Sequence, residues 1–349
     1  LTGEHPSAVE EVIALSVHTV ESTSETVRSG FLDPTAHPVA TIDSGDVVSY
    51  PNTWTHWGNE ATFGMTFAER EPLRHRYPSG PYSMLGPVEI LAAEPGDVVE
   101  CSLVSLRTRD WGWNSFPLGV GALPADFTQP YVHYFRFDKD RRTTEYVHGI
   151  TLTLAPFLGV MGVEPVGSDP VSAILAGPYG GNLVLRELTV GSSLFLPVAK
   201  PGGRVWIGDV HALQGDGVVD QTAIETAAED LQIRYDLHKS VALPSPVAET
   251  PTAWIGLGFA DNLDDALVAC LRELIAWLHA AAGISEGEAY ALCSMAASFR
   301  VTQYAHQTGS AYSSTPPKTV HGLVPKSVFP PDLQQRIGSW LRPENATSV

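Results

Sequence analysis

The stretch GDVHALQGDGVV, residues 208–219, brings Asp209, His211, Gln214 and Asp216 close together and then ends in two valines. On an extended chain Asp209 and His211, two residues apart, project from the same face. An imidazole beside a carboxylate can exchange protons near neutral pH or ligate a divalent cation. Gly215 and Gly217 flank Asp216 and permit a tight bend that carries its carboxylate back toward the pair. These residue types designate Asp209, His211 and Asp216 as catalytic candidates, with Gln214 as a substrate contact. A buried polar cluster that satisfies a turn is the competing interpretation.

Other chemistries lack their residues. The sequence contains no G-x-S-x-G, no H-E-x-x-H, no P-loop and no G-x-G-x-x-G. Cys101, Cys270 and Cys293 have no C-x-x-C spacing and sit in apolar stretches, which suits buried thiols in a reducing, cytoplasmic setting. With 39 acidic and 21 basic residues, the net charge of −18 argues against a nucleic-acid partner. The two dense basic runs, Arg70–Arg76 and Lys139–Arg142, read as solvated loops. No apolar run is long enough to span a bilayer, so no membrane partner is expected. The opening residues LTGEHPSAVE have no basic segment followed by an apolar one and suggest no secretory signal. Asn345-Ala-Thr matches a glycosylation triplet in the tail, where it reads as a chance match.

The elements that must carry these residues are mostly strands. PVATIDSGDVVSY (38–50) and VEILAAEPGDVVECSL (88–103) echo each other as strand, Gly-Asp turn, strand. EDLQIRYDLHKS (229–240) alternates Leu231, Ile233, Tyr235 and Leu237 with polar residues, the period of a strand with one wet face. After the Pro-rich LPSPVAETP the pattern changes. Residues 261–282 predict a helix capped by Asp261, with Leu263, Leu267, Leu271, Leu274 and Leu278 at helical spacing and a stop at Gly283. Ser285 and Glu288 form a capping box for a second helix to about Ala297, and FRVTQY (299–304) returns to strand. The expected fold is mainly β, sandwich- or barrel-like, with a smaller α+β C-terminal portion. Its expected divisions are 1–155, 156–245 (carrying the Asp-His stretch) and 246–349. The aromatic-rich region 107–137, with Trp54 nearby, makes Trp54, Trp111, Trp113, Tyr131 and His133 candidates for a substrate wall.

GPYGGNLVLRELTVGSSLFLPVAKPGGRVWIGDVHALQGDGVVDQTAIE (177–225) resembles the signature region of the acetamidase/formamidase family. The resemblance continues through HPVATIDSGDVV, APFLGVMGVEP, AYALCSMAASFRVTQ and VHGLVPKSVF, in order over roughly residues 37–329. It implies a β-rich assembly with a smaller α+β portion and hydrolysis of a small amide to a carboxylate and ammonia. It also implies acids where Val184, Val218 and Ser298 stand, while Asp209, His211, Gln214, Asp216, Asn182 and Glu225 are kept. Losing carboxylates weakens a cation site, so no metal and no cofactor are expected, and the valines favour a drier pocket. The resulting expectation is a diverged hydrolase of an amide or carbamate-like bond, acting on a molecule larger and less polar than acetamide. Asn182 and Gln214 would contact substrate. The alternatives are a scaffold repurposed for cyclisation, isomerisation or elimination in secondary metabolism, and a non-catalytic small-molecule binder. A homo-oligomer is expected in each case.

Overall fold

The alternation in EDLQIRYDLHKS becomes the strand Ala228–His238, with Leu231, Ile233 and Tyr235 buried and Arg234 exposed. It pairs antiparallel with Val98–Thr108, Leu231 opposite Leu106 and Leu237 opposite Val99. In the computed structural model, which describes residues 16–304 and 312–343, these two strands lie within a nine-stranded sheet. Its order is 17–19, 47–49, 228–238, 98–108, 193–197, 247–249, 253–260, 318–325, 298–303. A ten-stranded sheet centres on Val205–Leu213, which is flanked by Phe157–Val163, Ile224–Thr226 and Ser83–Ile90. The apolar faces of both sheets meet in one core: Leu103, Leu194, Ile233 and Leu257 from the first, Leu85, Leu158, Ile207 and Val210 from the second. Burial between two facing sheets makes a β-sandwich. Strands from all three sequence segments interleave in the nine-stranded sheet. The Asn345 triplet lies outside the described residues.

The two echoing turns are structural. Gly45 and Gly96 both take positive φ. Asp46 then accepts from the Asp43 amide at 3.2 Å and Asp97 from the Glu94 amide at 2.8 Å. A side chain folded back onto its own turn replaces the hydrogen bonds that the chain loses on leaving the sheet.

Three helices, Leu263–Ala282, Glu286–Ala296 and Pro331–Leu341, cover one end of the nine-stranded sheet. The first is capped by Asn262, whose side chain accepts from the Asp265 amide at 2.9 Å, and not by Asp261. Its buried stripe is Ala266, Cys270, Leu274, Leu278 and Ala281, whereas Leu267 is exposed. Small residues face the sheet because the helix lies close to it: a Cβ at Gly258 would collide with the backbone of Ala266 and Cys270. Gly283, at positive φ, ends the helix, and Ser285 and Glu288 form the capping box of the next. All three cysteines are buried and free. Among the described residues no single helix is long and apolar enough to cross a membrane.

The basic run Arg70–Arg76 corrects the loop expectation. It lies in the helix Phe67–Arg76, started by a Thr66/Glu69 capping box, and it buries Arg70 and Arg74. Arg70 tucks under aromatic rings, which a sequence window of charges does not reveal.

One buried clasp ties the C-terminal helices to the sheet. Glu100 accepts from Arg342 Nη2 at 2.6 Å and Nε at 2.9 Å, and lies 2.8 Å from His238 Nε2. Burial alone would raise its pKa, but His238 and Arg342 outweigh that and hold it at about 2. The folded value lies below the unfolded one of 4.5, so the stabilisation is complete above pH 4.5 and fades as pH falls toward 2. Arg342→Ala is expected to cost about 2–3 kcal/mol at pH 7. The difference between variant and wild type in urea unfolding should shrink between pH 5 and pH 3; an equal difference at both would remove Glu100 as the group responsible.

Candidate active site

Asp209 occupies a left-handed backbone conformation, φ +60°, in the middle of the strand Val205–Leu213. A non-glycine residue there costs energy, and within a strand it needs support from its surroundings. That support comes from Gly159 on the neighbouring strand. A Cβ at Gly159 would sit 2.8 Å from Asp209 Oδ2 and 2.9 Å from His211 Cε1. The missing side chain at Gly159 is thus the space that Asp209 and His211 share. Across the strand pair, His211 stands opposite Glu225, and Glu225 opposite Trp113. The fourth member comes from far away in sequence. His56 sits on a tight turn with positive φ at Trp57, Gly58 and Asn59. The turn is fastened by Trp57 N–H to Pro81 O at 2.6 Å and Gly58 N–H to Ser83 Oγ at 3.1 Å.

The result is a quartet in which each imidazole approaches both carboxylates. His56 Nε2 lies 3.1 Å from Asp209 Oδ1 and 3.3 Å from Glu225 Oε2. His211 Nε2 lies 2.8 Å from Asp209 Oδ2 and 3.1 Å from Glu225 Oε2. All four side chains are buried. Burial alone would lower the pKa of both histidines, but Asp209 and Glu225 outweigh it and raise both, His211 strongly. Burial would likewise raise Glu225, yet His211 and His56 hold it well below the usual carboxylate range.

The donor set fits a divalent cation. His211 Nε2, Asp209 Oδ2 and Glu225 Oε2 are buried and, despite their proximity, none has a hydrogen-bond partner of acceptable geometry. Lone pairs that crowd without pairing leave a shared central position unserved. His56, Asp209 and Glu225 each offer a ligand atom within 4.8 Å of the other two, close enough to share one ion, and His211 Nε2 lies beside both carboxylates. Two imidazoles and two carboxylates suit zinc or a similar first-row ion. The expectation of no metal rested on Val184, Val218 and Ser298, and none of these supplies a donor to the quartet. Val184 and Val218 instead take φ of +44° and +45°, where a β-branched residue is strained. Val184 N–H donates to Gly159 O at 2.9 Å, and Ser298 is an exposed residue at the start of a strand.

Of the sequence candidates, the structure unites Asp209 and His211 but not Asp216. The Asp216 carboxylate lies 3.5 Å from Arg186 Nε and 3.8 Å from Arg300 Nη1, in a separate group with Glu187 and His321. The bend at Gly215 and Gly217 thus leads away from the strand. Gln214 Nε2 donates to Val184 O at 2.7 Å and so braces the backbone beside Gly159.

His56 and Glu225 line a narrow cleft with about 60 Å³ of free interior, with Tyr82, Trp113, Asn182 and Gln303 among its walls. Asn182 and Trp113, named as substrate contacts from the sequence, both line this cleft. Trp111 packs on Trp113 behind it, and Trp54 packs against the sandwich core. Tyr131 and His133 belong to a different cluster, with Tyr131 hydroxyl 2.8 Å from Tyr146 hydroxyl and His133 edge-on to Tyr146. Sequence reasoning missed His56, Tyr82 and Arg70 as site residues and left Glu225 without a role. His56 stands in TWTHWGN, where its only signal is a lone histidine between tryptophans.

A model of the acetamidase/formamidase family matches residues 168–329. The formamidase of Methylophilus methylotrophus is 25% identical over 230 residues, which are 48% of this chain and 56% of that protein. The chain spans about half the length of the curated relatives it matches. Among solved structures, an acetamidase from Bacillus halodurans superposes with a TM-score of 0.78 at 25% identity, covering 89% of this chain and 98% of that one. An acetamidase from Yersinia enterocolitica does so with a TM-score of 0.78 at 27% identity, covering 89% and 92%. In the sequence of residues 168–329 and in a fold shared over nearly nine-tenths of its length, this chain is similar to the acetamidase/formamidase family.

Proposed function

We propose that this chain hydrolyses the C–N bond of an amide bulkier than acetamide. The observation that carries the reading is the His56–Asp209–His211–Glu225 quartet at the base of a cleft, in a chain similar to this family. A divalent cation held by those four groups would polarise the amide carbonyl and acidify a water. The remaining work falls to the walls. Tyr82 lines the cleft, and burial, with Asp209 and Glu225 nearby, raises its pKa well above the usual value, so it stays a neutral O–H donor. Such a donor can stabilise charge building on a carbonyl oxygen. Asn182 Oδ1 and Gln303 Oε1 are buried cleft atoms without partners. Both can accept from the substrate's amide N–H groups and orient the bond for attack.

Preference for a larger molecule rests on what adjoins the cleft. Pro117 and Val120 line both the cleft and an apolar groove that continues through Phe116, Leu123, Phe127 and Val219. An apolar chain attached to the amide has this surface to cover. Acetamide does not reach it.

Three outcomes follow from this arrangement. Purified protein should hold about one transition-metal ion per chain by elemental analysis, and Glu225→Gln should lower that content; metal-free protein with full activity would end the cation reading. Ammonia release should rise from acetamide to hexanamide by roughly 4-fold in kcat/KM per added methylene, and Phe127→Ser should flatten the series. Gly159→Ala should lower kcat by about 100-fold while the circular dichroism spectrum keeps its β signature, because the new methyl group displaces Asp209 and His211. Wild-type rates in Gly159→Ala would mean that the close approach of the two strands does not set the site.

A further inference from the structure

Arg70 is 1% exposed and forms part of the cleft wall. Its guanidinium carbon lies 5.0 Å from the ring centres of both Trp57 and Trp113 and 6.0 Å from that of Tyr134. Among the described residues its hydrogen bond runs from Nη1 to the Tyr134 hydroxyl at 3.0 Å. Its Nε is buried with no partner, and among the described residues no carboxylate pairs with it. Arg74, one helical turn on, also lines the cleft with a buried Nε that lacks a hydrogen-bond partner. Its nearest carboxylate is the half-exposed Glu71, 3.8 Å away. Arginine keeps its charge at any ordinary pH. A buried guanidinium without a counter-ion is costly, and aromatic faces offset only part of that cost. Arg70 bears that cost without a carboxylate among the described residues, and Arg74 beside it has only the long pair to half-exposed Glu71, so this cleft wall can take up an anion.

The geometry points to a function for this wall: we propose that Arg70, with Arg74 beside it, receives a carboxylate carried by the substrate, so that the preferred substrate is the monoamide of a dicarboxylic acid or a close analogue. The reaction named here rests on the amide-hydrolase reading; the anion site does not. His56 meets Trp113 edge-on at 5.0 Å, and Trp113 lies under the Arg70 guanidinium. The two functional ends of the cleft are therefore within about 10 Å of each other through a shared tryptophan. A chain of a few carbons spans that distance once each end is in contact. The planar guanidinium fork matches a carboxylate in two hydrogen bonds, which a flexible ammonium does not reproduce.

The test uses purified full chain and two paired probes, adipic acid monoamide against hexanamide, together with adipate as a binding probe. Wild type should favour the monoamide by about 10- to 100-fold in kcat/KM, bind adipate by calorimetry and melt at higher temperature in its presence. Arg70→Met should lose the preference and the adipate binding while its own melting temperature stays level or rises, because an unpaired buried charge has been removed. A purely structural arginine would give the reverse, a lower melting temperature with binding intact, and would overturn the proposal. Should Arg70→Met fail to fold, Arg70→Lys takes its place, and unchanged preference and binding in that variant would overturn the proposal equally. Adipate bound through Arg70 without hydrolysis of any amide supports the anion site and removes the hydrolase reading. Hydrolysis of hexanamide with neither preference for nor binding of the anionic probes does the opposite.

Discussion

The site depends on one strained backbone angle and the emptiness opposite it. With Asp209 in the left-handed region, the strand turns two successive functional side chains, Asp209 and His211, into space that Gly159 leaves free. A regular strand would also put residues two apart on one face, but it would not bring their polar atoms to 2.8 Å. The strain persists because the strand is central: Phe157–Val163 and Ile224–Thr226 pair with it, and Ser83–Ile90 joins it from the same sheet. A local conformation that costs energy is tolerable where neighbours on every side fix it. The same logic holds for His56, whose turn is fastened to the backbone of Pro81 and the side chain of Ser83.

Much of the scaffold was legible in the sequence because it rests on short-range rules. Period-two alternation located the strand Ala228–His238, and Ser285 with Glu288 located a helix start. The Gly-Asp echoes marked real turns. Where the reading went astray, tertiary geometry had replaced local pattern. The leucine spacing of 263–278 was helical, but close packing against Gly256 and Gly258 selected Ala266 and Cys270 for the buried face. The basic run at 70–76 looked solvated, yet its helix turns Arg70 and Arg74 inward among aromatic rings. Charge counts along a chain carry no information about which residues a helix hides.

The site was half legible for a related reason. Asp209 and His211 are neighbours in sequence, so spacing found them. Glu225 is found only by strand pairing and His56 only by folding, since 153 positions separate it from Asp209. Asp216 shows the converse. Nearness in sequence suggested that it belongs with the pair, but the bend at Gly215–Gly217 leads it to Arg186, Arg300 and Glu187. The retained motif therefore serves two purposes, one half building the quartet and the other an ion-paired cluster beside it.

The electrostatics of the cleft explain why these features occur together. Two buried carboxylates are tolerable beside two imidazoles or a shared cation, because each charge is then matched within the quartet. Among the described residues Arg70 has no such match and Arg74 only the long pair to half-exposed Glu71, and aromatic faces cover what carboxylates elsewhere would neutralise. A protein can hold an unmatched charge only at some expense of stability, and the usual return is a ligand that completes it. The valines at 184 and 218 fit the same picture. Val184, bonded to the Gly159 backbone, adds no acid there, and Val218 adds none on the Gly215–Gly217 bend, so the negative charge stays on Asp209 and Glu225 at one end of the cleft and the positive charge on Arg70 and Arg74 at the other. That separation gives the cleft a direction: a molecule with an electrophilic carbonyl at one end and an anion at the other has one orientation in which both ends are satisfied.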